Sequence, residues 1–76
     1  MSQAEIYEVL KQYKGQKLTA EQIAQLVYKN NAIHKTQLVY RRLAKMLKYY
    51  REIHREARTG KPNVFYYEEV NKNIYI

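Results

Sequence analysis

The 76-residue chain has no cysteine and no tryptophan, a single proline, two glycines and, with all seven acids glutamate, no aspartate. Without cysteine there is no disulfide framework, no thiolate metal site and no sulfur nucleophile. Without aspartate, and with Ser2 as the only serine, a Ser-His-Asp triad cannot be assembled. The two glycines, Gly15 and Gly60, stand far apart, so no glycine-rich loop can cradle a phosphate. Apolar residues are dispersed, and no run approaches the roughly 18 to 20 residues a membrane span requires. The amino end lacks a basic start followed by an apolar stretch, so the expectation is a soluble chain with no signal peptide, resident in the cytoplasm.

Negative charge is scarce as well. Fourteen Lys and Arg against seven Glu leave a formal charge of +7, which predicts a polyanionic partner, nucleic acid first. The excess is concentrated. Residues 34–61 hold nine cations (Lys35, Arg41, Arg42, Lys45, Lys48, Arg51, Arg55, Arg58 and Lys61) against Glu52 and Glu56, a net of +7. Residues 1–33 net +1 and residues 62–76 net −1. All five arginines fall in the basic stretch. Lysine would serve solubility equally well, whereas the arginine fork matches phosphate and guanine, so the run reads as a binding surface.

The chain is short enough for one small domain with a thin core. Ser2 followed by Glu5 forms a capping-box signature, and Ile6, Val9, Leu10 and Tyr13 recur at helical spacing, predicting a first helix over about residues 3–14 that Gly15 terminates. Thr19 with Gln22 is a second capping box, with Leu18 and Ile23 placed as a hydrophobic staple; the second helix is expected over about 20–29. Asn30-Asn31 signals a turn. A third helix over about 35–50 places Val39, Leu43, Met46, Leu47 and Tyr50 inward. Gln37, Leu38, Arg41, Lys45 and Lys48 lie on the opposite face.

Beyond Tyr50 the apolar period fits a helix or a strand. The turn-rich run Thr59-Gly60-Lys61-Pro62-Asn63 and the β-branched and aromatic Val64-Phe65-Tyr66-Tyr67 decide for a hairpin, with arms at 51–58 and 64–70. The expected class is therefore α+β. Most of the nine tyrosines (Tyr7, Tyr13, Tyr28, Tyr50 and one of Tyr66 and Tyr67) supply core area in a chain with one Phe, while Tyr40 and Tyr49 flank the basic face.

The order helix, helix, turn, basic helix, hairpin resembles a winged helix-turn-helix domain. The carriers are Leu18-Thr19-Ala20-Glu21-Gln22-Ile23-Ala24, the run Thr36-Gln37-Leu38-Val39-Tyr40-Arg41-Arg42-Leu43, and Gly60-Lys61 ahead of Phe65-Tyr66-Tyr67. In small size, Lys/Tyr/Ile richness and lack of Cys the chain is similar to transcription factors encoded by crenarchaeal viruses and plasmids. The resemblance implies three helices and a two-stranded wing over 51–70, a further short strand near Leu18, and sequence-specific binding of double-stranded DNA. It also implies base contacts from Lys35, Gln37, Leu38, Arg41 and Arg42. The chemistry suits them, since Arg forks onto guanine, Gln onto adenine, and Leu can touch a thymine methyl. Lys45, Lys48, Arg55, Arg58 and Lys61 are expected on the backbone or the minor groove, where they add affinity and little sequence information.

Two other readings stand beside this one: an RNA or single-strand binding module using the same basic face, and a winged helix used for protein docking. An enzyme is not expected, because the only acids are scattered Glu. Glu52, His54 and Glu56 would share one side of a strand, but polar residues on the solvent side of a hairpin explain them as well, and no metal, cofactor or small-molecule ligand is expected. The tail at 71–76 ends in the apolar Ile74-Tyr75-Ile76, which want burial either against helix one or in a two-fold homodimer sharing helix one and the tail.

Overall fold

The computed structural model describes residues 3–69, without the side chains of 31–33. It contains three α-helices and a three-stranded antiparallel sheet: α1 (Gln3–Gln12), β1 (Leu18–Thr19), α2 (Ala20–Tyr28), a 3₁₀ segment (Lys29–His34), α3 (Thr36–Tyr49), β2 (Ile53–Arg58) and β3 (Lys61–Tyr67). The α+β class and the short strand at Leu18 match the sequence expectation. The apolar tail at 71–76 lies outside the described residues.

Helix α1 buries Ile6 and Leu10, one turn apart on its inner side. It ends at Gln12, two residues before the expected boundary, because the chain turns through Tyr13 to Gly15. Gly15 adopts φ +84°, a left-handed conformation that costs a side-chain-bearing residue, and its N–H donates to the Tyr67 carbonyl at 3.0 Å. The end of α1 is thereby fastened to the last residue of β3.

The second capping box forms in full. The Gln22 N–H donates to Thr19 Oγ1 at 3.1 Å and the Thr19 N–H donates to Gln22 Oε1 at 2.8 Å, so two otherwise orphaned amides are satisfied where β1 passes into α2. Helix α2 stops at Tyr28 because Lys29 takes φ 58°. The expected turn at Asn30-Asn31 is instead a six-residue 3₁₀ segment that reaches His34. That segment delays α3 to Thr36, with Lys35 as an N-cap that makes no side-chain capping bond.

Helix α3 presents Val39, Leu43 and Met46 to the core, all fully buried. Its last bond, Tyr50 N–H to the Met46 carbonyl at 2.8 Å, closes it before the extended Tyr50. Strand β2 therefore begins at Ile53, two residues later than expected. The sheet order is β1-β3-β2, with β3 central. Ile53 faces Tyr67, Arg55 faces Phe65 and Leu18 faces Phe65 across the ladders. Directly opposed residues share a sheet face, so these occupy the helix side, with Ile53, Phe65, Tyr67 and Leu18 joining the same core as Ile6, Leu10, Ile23, Ala24, Val39, Leu43 and Met46. His54 and Tyr66 occupy the outer side, stacked at 5.1 Å between ring centroids.

The hairpin tip departs from the expectation. Only Thr59 and Gly60, the latter at φ +71°, form the loop; Lys61, Pro62 and Asn63 belong to β3. From the pair Glu56–Val64 to the pair Arg58–Lys61, β2 advances two residues and β3 retreats three, so β3 carries one extra residue in a bulge at Pro62-Asn63. Proline has no N–H to give a ladder, and a bulge is where a strand tolerates that loss. At its other end β3 stops at Tyr67 rather than at residue 70.

Candidate nucleic-acid interface

Helix α3 carries four of the nine cations of the basic stretch, Arg41, Arg42, Lys45 and Lys48. At about 100° per residue, Val39, Leu43 and Met46 point to the core, which turns Gln37, Arg41, Ala44, Lys45 and Lys48 outward along one ridge. All five of these are exposed. Leu38 and Arg42 lie on the flank of this ridge and are half-buried. With Arg41 and Lys45 they line a shallow hollow on the helix surface. Three cations thus converge within little more than one turn.

Lys35 is placed differently from the other cations expected to contact bases. It precedes the helix, is half-buried, and holds its Nζ 5.5 Å from the Tyr28 ring centroid in a cation–π contact. The Tyr28 hydroxyl is itself buried without a hydrogen-bond partner among the described residues.

The opposite flank of α3 turns toward the hairpin. Thr36 and Tyr40, one turn apart, line a cleft of about 540 Å³ together with Thr19 at the end of β1, Ala20 and Glu21 from the start of α2, and Lys61, Pro62 and Asn63 from the start of β3. Tyr40 sets its ring edge-on to Phe65, centroids 6.0 Å apart, so the floor of the cleft rests on the sheet core. Sequence reasoning singled out Tyr40 as flanking the basic face but did not find this cleft. The helical offset of Thr36 and Tyr40 from the outward ridge was the available signal; the strand assignment of 61–63 was missing.

Of the hairpin cations, Arg55 is exposed and opposes Phe65, which puts it on the side of the sheet that bears the helices. Lys61 is exposed at the first position of β3 rather than at the tip. Arg58 is half-buried and its fork is engaged: Nε and Nη2 donate to the Pro62 carbonyl at 3.0 and 2.9 Å.

Glu21 lines the cleft, whereas the carboxylates found in ion pairs lie elsewhere. Among the described residues the ion pairs are Lys14 with Glu69 and Lys17 with Glu56, the latter at 2.8 Å, and neither touches α3. The hydrogen bond and charge of Glu69 raise the Lys14 ammonium above its ordinary value, and Lys14 in turn lowers the Glu69 carboxyl. Glu56 raises Lys17 in the same way. Glu52 accepts a hydrogen bond from the Tyr7 hydroxyl at 3.0 Å. That hydroxyl is pushed well above its ordinary value, first by its hydrogen bond with Tyr67, then by burial and Glu52. Chemically, the assembled surface offers guanidinium and ammonium donors on one helix, beside a cleft walled by a hairpin.

Comparison of the chain with protein-family models, curated proteins and solved structures yields no match.

Proposed function

We propose that the chain is a winged helix-turn-helix protein that binds double-stranded DNA sequence-specifically and regulates transcription, without enzymatic activity. In this reading α3 lies in the major groove, with Gln37, Arg41 and the flanking Leu38 and Arg42 toward base edges and Lys45 and Lys48 toward phosphates. The hairpin β2–β3 is the wing, with Arg55 and Lys61 on adjacent backbone or minor groove. One observation carries the proposal: the outward ridge of α3 bears Arg41, Lys45 and Lys48 exposed, while the ion pairs among the described residues use Lys14 and Lys17 instead. Such a ridge fits an external polyanion, and a B-form major groove admits a helix.

Titration against duplex DNA, single-stranded DNA and structured RNA at one fixed salt concentration tests it. Tightest binding to duplex, with a preferred sequence emerging from selection on random duplexes, is the expected result. Preference for single strands would favour base stacking on Tyr49, which is 73% exposed at the end of α3. Absence of binding to all three would turn the reading to protein docking.

A further inference from the structure

Arg58 entered as one of ten candidate DNA contacts, yet its guanidinium is already occupied. Strand β3 bulges at Pro62-Asn63, and the ladder pairs neither residue with β2. Pro62 cannot donate, so the bulge has lost one of the hydrogen bonds that would hold two strands in register. The Arg58 fork replaces it, with Nε at 3.0 Å and Nη2 at 2.9 Å from the Pro62 carbonyl. Arg58 and Lys61 are also the last opposed pair before the Thr59-Gly60 loop. The bond therefore closes a ring of five residues, Arg58 to Pro62, around the tip. Its end and the residue that follows are the part of the hairpin that walls the cleft: Lys61, Pro62 and Asn63 line it with Thr36 and Tyr40 of α3.

We propose that Arg58 is a positioning residue: its bidentate bond to the Pro62 carbonyl fixes the bulged start of β3, and so the placement of Lys61 and Asn63 beside α3, and it does not itself serve as a phosphate contact. The consequence for DNA rests on the winged-helix reading; the brace itself belongs to the free protein. Lysine keeps the charge at this position but has no planar fork, so Arg58→Lys separates the two roles that Arg58→Ala removes together.

In the free protein, nitrogen relaxation at the amides of Gly60, Lys61 and Asn63 is expected to give rigid order parameters of about 0.85 in the parent chain and values below about 0.6 in both variants. On duplex DNA both variants are expected to lose the same affinity, about three- to tenfold, the range spanned by one ordinary intramolecular hydrogen bond. They are also expected to share one salt dependence. If Arg58→Lys binds like the parent while Arg58→Ala weakens and flattens the log-log salt slope by about 0.9, Arg58 is a phosphate contact and the proposal falls. Unchanged order parameters in Arg58→Lys also overturn it. A parent chain that ignores duplex DNA overturns the winged-helix reading separately, while a tip that loosens in both variants still upholds the brace.

Discussion

Two groups of cations in this molecule are treated in opposite ways. Lys14 and Lys17, between α1 and β1, are each met by a glutamate from the hairpin or just beyond it, Glu69 and Glu56 respectively. These pairs join segments far apart in the chain. On α3, Arg41 and Lys45 stand one turn apart, as do Arg42 and Lys45 and Lys45 and Lys48, all of like sign. Like charges at these spacings destabilise a helix by about 0.2–0.5 kcal/mol per pair. A carboxylate placed one turn away would reverse that sign, and the sequence has none anywhere between Glu21 and Glu52. The difference teaches that the glutamates are distributed to neutralise the body and leave the ridge charged. A fold that keeps such repulsion on an exposed helix face fits a helix whose counter-ions come from outside.

The contrast requires that α3 be held as firmly as the paired region, and Leu43 tests that. It is fully buried and adjoins Arg42 in sequence. Leu43→Ala should lower unfolding free energy by about 2–5 kcal/mol, measured by denaturant titration. A loss under about 1 kcal/mol would mean that α3 is not seated through this side chain. The next largest effect concerns the ridge alone. Arg41→Ala should weaken specific duplex binding by about 1–3 kcal/mol and relax base preference at one position. The melting temperature should not fall, since the substitution removes only an exposed cation. Equal weakening on cognate and random duplexes would assign Arg41 to phosphate. Smaller again is Lys61→Ala, which should weaken all duplexes alike and flatten the salt slope by about 0.9. An unchanged slope would detach the hairpin from the DNA reading.

Much of this arrangement could be read from the sequence because its determinants are local. The Thr19–Gln22 capping box, the buried face of α3 and its exposed cations follow from spacing alone. Three features did not follow. The 3₁₀ segment at 29–34 hangs on the positive φ of Lys29, a residue with no intrinsic claim to that conformation. Lys61-Pro62-Asn63 carries turn-forming residues, yet β1 pairs only with Phe65 and Val64, so this stretch of β3 has a free side on which a proline costs no β1 bond. Arg58 looked like one more wing cation because its acceptor is created only when the hairpin bulges. Each miss involves a position whose conformation is set by neighbours distant in sequence or by a ladder defect, which periodicity does not encode.

The smallest predicted effect probes the paired side of the comparison, and its value lies in being near zero. Lys17 reaches over the Tyr66 ring, 5.6 Å from its centroid, to Glu56 on the outer sheet face, so it is already neutralised and points away from α3. Lys17→Gln should leave duplex affinity and the salt slope unchanged, whereas Lys45→Gln, on the exposed ridge, should flatten the slope by about 0.9. Stability should respond little to either, because an exposed ion pair adds little net free energy. Acidification gives the same pairing a second test through Glu69. Its carboxyl is lowered by Lys14, so the native state favours the ionised form. The stabilisation is present above the ordinary glutamate value of about 4.3 and is lost as pH falls through the lowered native value. Lys14 is raised, so its side of the pair persists until pH climbs past the ordinary lysine value of about 10.4. Between those limits the pair is intact, and carbon-detected titration of the Glu69 carboxyl should show its midpoint below that of a model peptide. If instead Lys17→Gln flattened the salt slope as much as Lys45→Gln, the polyanion would be crossing the outer sheet face, and the division between paired and unpaired cations would no longer mark the binding side.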